Sequence, residues 1–407
     1  MDRATHVIDP NGDVVIVLQN PNAPFAEISE GMTNSDFTFT LPGPKEPAAE
    51  ETSLQWPAEE PTPEPAAEPP TEELTPEWPA DPAPEGPAAE EPVDALPDGP
   101  IDEPAREPAE ESAAERPTEL RVAEQREENC VRIQVSAKHL TLASSVFKKI
   151  LTGSWKESIA YLQQGAVEIS ADSWDTEALL IMLRIIHCQS HDIPRKLTLQ
   201  MLAKVAVLAD YYDCRKAVDF FASTWINALN KTIPTTYSRD LILWLWVAWY
   251  FRLSAEFKKA TATAMSRSND WIDNLGLPFP DNIIRSMNDR RQGEIAGLIF
   301  QLQDTRNQLQ SGSKGCGFEC SSIMYGALTK QMHLSALLPP GPADPFPGLR
   351  YSVLVQSVLS FKSPEWCSLE SRRYRYPHNC TYSTFTALFG MLNDTIEGLD
   401  IDSAIHL

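Results

Sequence analysis

Two cysteines four residues apart, in Cys316-Gly-Phe-Glu-Cys320, are the side chains of this sequence best spaced for metal chemistry. Thiolates at that separation can share one tetrahedral zinc, and His333, Cys367, His378 or Cys380 could supply the remaining ligands. Structural zinc sites usually combine two tight pairs, whereas His378 and Cys380 flank a single residue in an irregular stretch. The cysteines therefore read as isolated reduced thiols in preference to a zinc site, and no metal ligand or cofactor is assigned. His187 and His191, in Ile186-His-Cys-Gln-Ser-His191, also stand four apart, at the end of an apolar helical pattern. No acidic third ligand accompanies them, and they read as solvated histidines at a helix C-terminus, where positive charge is favoured. Arg372-Arg-Tyr-Arg-Tyr376 interleaves cations with rings on which bases stack. Five residues are a short signal, and without a basic surplus nucleic acid is not an expected partner. No glycine-rich phosphate loop, GxSxG, HExxH or kinase set occurs. The usual grounds for proposing catalysis are thus missing, no catalytic residue is assigned, and the chain reads as a non-enzyme.

The formal charge of the 407 residues is −23, but it is not spread evenly. The stretch 42–128 holds 20 of the 34 prolines, 26 of the 57 acidic residues and only 5 of the 34 basic ones, so it accounts for −21 of the total. Frequent proline blocks helices and sheet ladders, and unbalanced glutamate keeps a chain swollen, so 42–128 is expected to be a disordered acidic Pro/Glu/Ala-rich insert. Imperfect repeats of EPAAE, and the echo of Leu54-Gln-Trp56 in Leu74-Thr-Pro-Glu-Trp78, read as low-complexity sequence rather than a solenoid. Trp56 and Trp78 amid glutamates have the composition of acidic recruitment segments, although a solvated spacer is the preferred reading. The remainder is nearly neutral and long enough to bury a core.

Seven cysteines are too few for a disulfide scaffold, and Met1 to His6 lacks a signal-peptide apolar region. The expectation is an intracellular protein, nuclear or cytoplasmic, with its thiols reduced. Leu241 to Phe251, LILWLWVAWYF, is the most apolar run, and eleven residues are far short of the roughly 20 that span a bilayer. It reads as a buried core helix, so no membrane association is expected.

Those residues must be positioned by the surrounding elements. Gly12 to Asn20, GDVVIVLQN, is β-branched and bounded by turn signals, as a buried strand would be. Val131, Ile133 and Val135 alternate with Arg132 and Gln134, the pattern of a strand with one buried face. From Lys138 the period turns helical through Leu140, Ala143, Phe147, Ile150 and Leu151, ending at Gly153. Ala166 to Ile169 is another short strand, and Asp172 is positioned to cap the apolar helix through Leu179, Leu183 and Ile186. Helices follow over Leu199 to Tyr212 and Ala217 to Leu229, then an Ala/Thr-rich helix, Ala255 to Met265, and a long amphipathic one, Asp281 to Gln310. In that last helix Ile284, Met287, Ile295, Leu298, Ile299 and Leu302 form an apolar stripe beside Arg285, Arg290, Arg291 and Glu294.

This succession resembles the BTB/POZ domain, and more narrowly the BTB proteins of filamentous fungi. The resemblance lies in Leu140-Thr-Leu-Ala-Ser-Ser-Val-Phe147, the Gly153-Ser-Trp-Lys-Glu157 turn, and Ala206-Val-Leu-Ala-Asp-Tyr-Tyr212, within about 140 residues interrupted by the insert. It departs from the family at Ser136, where a histidine is usual, and at Ser144-Ser145, where serine-proline is. The resemblance implies an α+β BTB/POZ fold, a small sheet with a helical cluster, followed by an all-helical region, with the insert replacing the turn of the first hairpin. Loop-closure cost grows only logarithmically with length, so a long insert there is inexpensive. The domain expectation is 1–41 for the first strand and start of the BTB domain, 42–128 for the insert, 129–232 for its remainder, 233–338 for a helical region, and 339–407 for a Pro-containing, partly ordered tail. The resemblance also implies protein partners and homo-oligomerisation through a surface that includes Phe147, Ile150, Leu151 and Trp155. Some members of the family bring substrates to cullin scaffolds of ubiquitin ligases, and others act in transcription. The expected function is a non-enzymatic interaction protein, a dimerisation or adaptor module; the alternative is a transcriptional regulator that recruits through the acidic insert.

Overall fold

A run of six residues in which Val14, Val15, Ile16 and Leu18 are all buried has to be covered on both faces, and this run forms the middle of the sheet. The computed structural model describes residues 4–27, 130–229, 233–366, 378, 380 and 383–402. Strand β2 (Val14–Gln19) pairs antiparallel with β3 (Val131–Val135), Val14 opposite Val135 and Leu18 opposite Val131. On its other side it pairs parallel with β4 (Val167–Asp172), Val14 opposite Val167. A two-residue strand β1 (His6–Val7), too short to show a period, adds parallel to β3, and the sheet order is β1-β3-β2-β4. The antiparallel pairing expected between the first strand and Val131 to Val135 is therefore present. The insert with Trp56 and Trp78, and Arg372 to Tyr376, lie outside the described residues.

Between β3 and β4 stand α1 (Ala137–Ala143), α2 (Ser145–Thr152) and α3 (Lys156–Gln164). The single helix expected from Lys138 to Gly153 is broken at Ser144, which is extended at φ −133° and ψ 124°. Its Oγ accepts the Phe147 N–H at 3.0 Å and donates to the Tyr212 carbonyl, so a polar side chain begins a new helix inside an unbroken apolar stripe. The start of α1 is capped from far away in sequence. Asp13 Oδ1 accepts the Ala137 N–H at 2.7 Å, and Oδ2 accepts the Tyr161 hydroxyl at 2.7 Å. Burial works against the Asp13 charge, yet these two bonds, with its own backbone N–H and the Lys138 charge, hold the carboxyl below its usual range.

Helix α4 (Thr176–Ile186) buries eight of its eleven residues, and its cap differs from expectation. β4 runs on through Asp172, whose carboxylate instead accepts from Asn20 and Ser173, and Asp175 caps α4 by accepting the Ala178 N–H at 3.0 Å. Helices α5 (Leu199–Tyr211) and α6 (Arg215–Ala228) follow. The tryptophan-rich run becomes α7 (Arg239–Tyr250), with nine of twelve residues buried, and it packs on α5. Then come α8 (Ser254–Arg267), α9 (Asp281–Ser311) and α10 (Phe318–Leu334), with α11 (Tyr351–Leu359) and α12 (Phe385–Phe389) in the C-terminal stretch.

One hydrophobic core extends from Val14 and Ile16 in the sheet through Trp246 in α7 to Leu354, Phe389 and Ile401, so the regions 129–232, 233–338 and 339–407 are packed together. The described residues of the last of them supply core side chains, among them Leu354, Val358, Phe385 and Phe389. The stripe of α9 is packed on its own protein: Met287, Ile295, Leu298, Ile299 and Leu302 are all buried. Arg291, read as part of the polar side, is buried with them. Among the described residues no helix is long and apolar enough to cross a membrane.

Candidate functional site

Phe147 and Leu151 do not lie on a surface. They are 0% and 1% exposed, and the Phe147 ring stacks on Tyr212 at 4.5 Å between centroids. Ile150 is half-buried against the core, and of the four residues expected to meet a partner only Trp155 stands out, at 61% exposure. The physical reason is that Phe147 and Leu151 face the same core as Leu140, with Tyr212 packed against Phe147. Trp155 precedes α3, and at helical spacing beyond it come Ile159 and Leu162, 51% and 78% exposed. Ile159 and Leu162, three apart, share one face of α3, and Trp155 stands exposed at its N-cap. Tyr161, on the flank, is held inward by Asp13. Burial of a side chain can be sensed from apolar periodicity, but which of two adjoining stripes faces inward cannot, so Ile159 and Leu162 escaped the sequence reading.

A second constellation joins residues from opposite ends of the C-terminal half. Helix α9 stops at Gly312, and the turn leading into α10 presents Cys316; Cys320 lies in the first turn of α10. The turn is tight at Gly315, where φ is +107° and a Cβ would lie 3.0 Å from the Ser321 nitrogen. Against this turn rest His378 and Cys380. The ligand atoms of Cys316, Cys320, His378 and Cys380 all lie within 4.8 Å of one another, and Cys316 Sγ is 3.4 Å from His378 Nε2. The reading of isolated thiols fails for these three cysteines. His378 and Cys380 carry no local sign of this, because their partners are some 60 residues away. His333, exposed at the other end of α10, is not part of the cluster, and Cys367 lies outside the described residues.

The shell around the four is also formed. The Trp366 ring stacks on His378 at 4.2 Å and 20°, the His378 N–H donates to the Trp366 carbonyl at 2.7 Å, and Ser383 Oγ is 3.2 Å from Cys320 Sγ. Desolvation, and the hydrogen-bonded Cys320 and Cys380 thiols next to it, push the Cys316 thiol up to about 11. Packed thiols resist ionising side by side unless a cation joins them.

His187 and His191 are not brought together as a ligand pair, and His187 is not solvated. It is buried, its Nδ1 donates to the Leu183 carbonyl at 2.8 Å, and its Nε2 accepts the Ser136 N–H at 2.9 Å. Those two partners define a neutral imidazole protonated at Nδ1. His191 is exposed, 3.3 Å from Asp192. Burial first, and then the His139 ring beside it, hold the His187 pKa below its ordinary value, against the opposing pull of the Leu183 carbonyl and Asp9. Unfolded, the group titrates near 6.5. Stability from the neutral ring is complete above about pH 6.5; below it the unfolded chain takes up a proton that the folded chain refuses, and the stability drains away down to the depressed folded value. Urea unfolding between pH 7.5 and 5 should therefore show a falling midpoint that is flatter in His187→Gln, and parallel curves for the two proteins would contradict this account.

A cavity of about 440 Å³ opens beside Trp174 and Tyr211, but its cation, Lys204, is spent on Asp175 at 2.6 Å. That pair fixes the cap of α4 and leaves Asp210 as the remaining ionisable carboxyl in the lining. In comparisons with known proteins, the chain matches no family model and no curated sequence.

Proposed function

We propose that the chain is a non-enzymatic protein-interaction module of the BTB/POZ kind, which self-associates through the face of α3 bearing Trp155, Ile159 and Leu162. The observation behind this reading is that stripe: three large apolar side chains at helical spacing, each more than half exposed. Trp is the residue most enriched among side chains that dominate binding energy. The antiparallel pairing of β2 with β3, the helices that follow, and the parallel return of β4 beside β2 support the BTB/POZ assignment. So does the contact of Phe147 with Tyr212, two of the residues that support the family resemblance. A cullin-type scaffold is the kind of further partner the family implies.

The test needs the full chain, because β2 is an inner strand that pairs with both β3 and β4, and a fragment beginning at Cys130 would lack it. Sedimentation equilibrium should show a dimer. Trp155→Asp with Ile159→Asp should raise its dissociation constant by a factor on the order of 10,000 or more, since both copies carry both changes and each of the four side chains contributes roughly 1.5 kcal/mol or more when buried. The circular dichroism spectrum should not change, because both side chains are exposed. A wild-type chain that stays strictly monomeric at high micromolar concentration would sink the proposal.

A further inference from the structure

We infer that Cys316, Cys320, His378 and Cys380 are the four ligands of a structural zinc ion, independently of the interaction proposed above. Four ligands at zinc–sulfur and zinc–nitrogen bond lengths of about 2.3 and 2.0–2.1 Å, arranged tetrahedrally, stand roughly 3.5–3.8 Å apart. The 3.4 Å between Cys316 Sγ and His378 Nε2 already matches that spacing. The upper bound of 4.8 Å for the whole set requires a closure of about 1 Å, within the reach of side-chain rotation. Three residues between Cys316 and Cys320 fall in the usual range for one half of a structural site, and three sulfurs with one imidazole make a known structural ligand set. Sulfur-rich tetrahedral sets select zinc over magnesium or calcium, which take oxygen ligands.

The surroundings serve the ion as well as the ligands. Cys320 sits in the first turn of α10, whose positive end favours thiolate. Ser383 Oγ can donate to the Cys320 sulfur, and Trp366 fixes the plane of the His378 ring. All four positions are filled by protein, so the site is closed and structural rather than hydrolytic. On binding, each thiol gives up its proton to solvent and His378 binds as the neutral ring. The ion would clip the α9–α10 turn to the stretch ahead of α12, across a separation of 62 residues between Cys316 and His378.

Zinc content should be measured on the full chain purified anaerobically with reductant. About one zinc per chain is expected. Replacement by cobalt should give tetrahedral d–d absorption together with thiolate-to-cobalt charge transfer. Because Cys316 is exposed, Cys316→Ser should leave the fold in place. It should weaken metal binding by more than the 10–100-fold that loss of an outer partner costs. Cys188→Ser, exposed and outside the cluster, should bind as the wild type does. A metal-free chain with its thiols reduced, a disulfide within the cluster after anaerobic purification, or a cobalt spectrum unaltered by Cys316→Ser would each overturn the inference. The cobalt and zinc measurements on the unmodified chain do not depend on any variant folding.

Discussion

Replacing Arg291 with Leu should lower the unfolding free energy by about 2–4 kcal/mol and leave residues 340–350 open to proteolysis. Arg291 is 1% exposed in the middle of α9, and its guanidinium donates to the carbonyls of Pro345, Phe346 and Leu349 at 3.2, 3.1 and 2.8 Å. The planar fork thus gathers three carbonyls of a loop that has no strand or helix of its own. Two effects oppose each other in the variant. Leu removes a buried charge whose burial depresses its pKa, which is a gain, but it strands the Pro345 and Leu349 carbonyls at roughly 1–3 kcal/mol each and leaves Phe346 only the Leu349 N–H at 3.3 Å. The two stranded carbonyls outweigh the one relief. Arg291→Lys should fall between the two, because an ammonium keeps the charge without the span of the fork. Urea denaturation with limited proteolysis measures both parts, and a change under about 0.5 kcal/mol would mean that water replaces the guanidinium.

The second large effect is expected at Gly398. A Cβ there would lie 1.8 Å from the Lys258 carbonyl oxygen and 2.7 Å from its carbon, and both atoms belong to the backbone of α8. Only glycine lets this strand of chain approach so closely. The approach is what allows Thr261 Oγ1 to accept the Leu399 N–H at 2.9 Å and Ser266 Oγ to accept the Ile396 N–H at 2.8 Å. Gly398→Ala should push the segment off the helix at a cost of about 2–3 kcal/mol, the range for overpacking. Hydrogen exchange at the Ile396 and Leu399 amides should accelerate, while amides in β2 and β3 keep their ordering. The ion pairs of Lys258 with Glu397 and Asp400, at 2.9 and 3.1 Å, are exposed and contribute little, so raising salt should not mimic the variant. Unchanged exchange at both amides would refute the clash.

Arg291 and Gly398 are two of the places where the stretch after residue 339 is fastened. Between them Gln331 exchanges two hydrogen bonds with the Lys362 backbone, at 3.0 and 2.8 Å, and the proposed zinc would add a fourth fastening ahead of α12. Weakening one of these should leave the sheet region intact while loosening the C-terminal stretch.

What could be read from the amino-acid order was what depends on neighbours in sequence. Period-2 alternation at Val131 to Val135, the β-branched run of β2, the uniformly apolar α7 and the 3.6-residue stripe of α9 each record a single element's own burial, and each element is where the pattern placed it. Charge placement likewise separated 42–128 from the rest. What local order could not supply were the choices made by partners far along the chain. Ser144 rather than Gly153 ends the first helix, because the Tyr212 carbonyl is there to receive its hydroxyl. Asp13 caps a helix 124 residues away, and Arg291 turns inward toward carbonyls more than 50 residues on. Cys316 and Cys320 had the spacing for metal, yet His378 and Cys380, some 60 residues on, become their neighbours only in the folded chain. A hydrophobic period reports how often a residue is buried but carries no information about what it is buried against; that pairing belongs to the tertiary structure, and here it decides both the free apolar face and the candidate metal site.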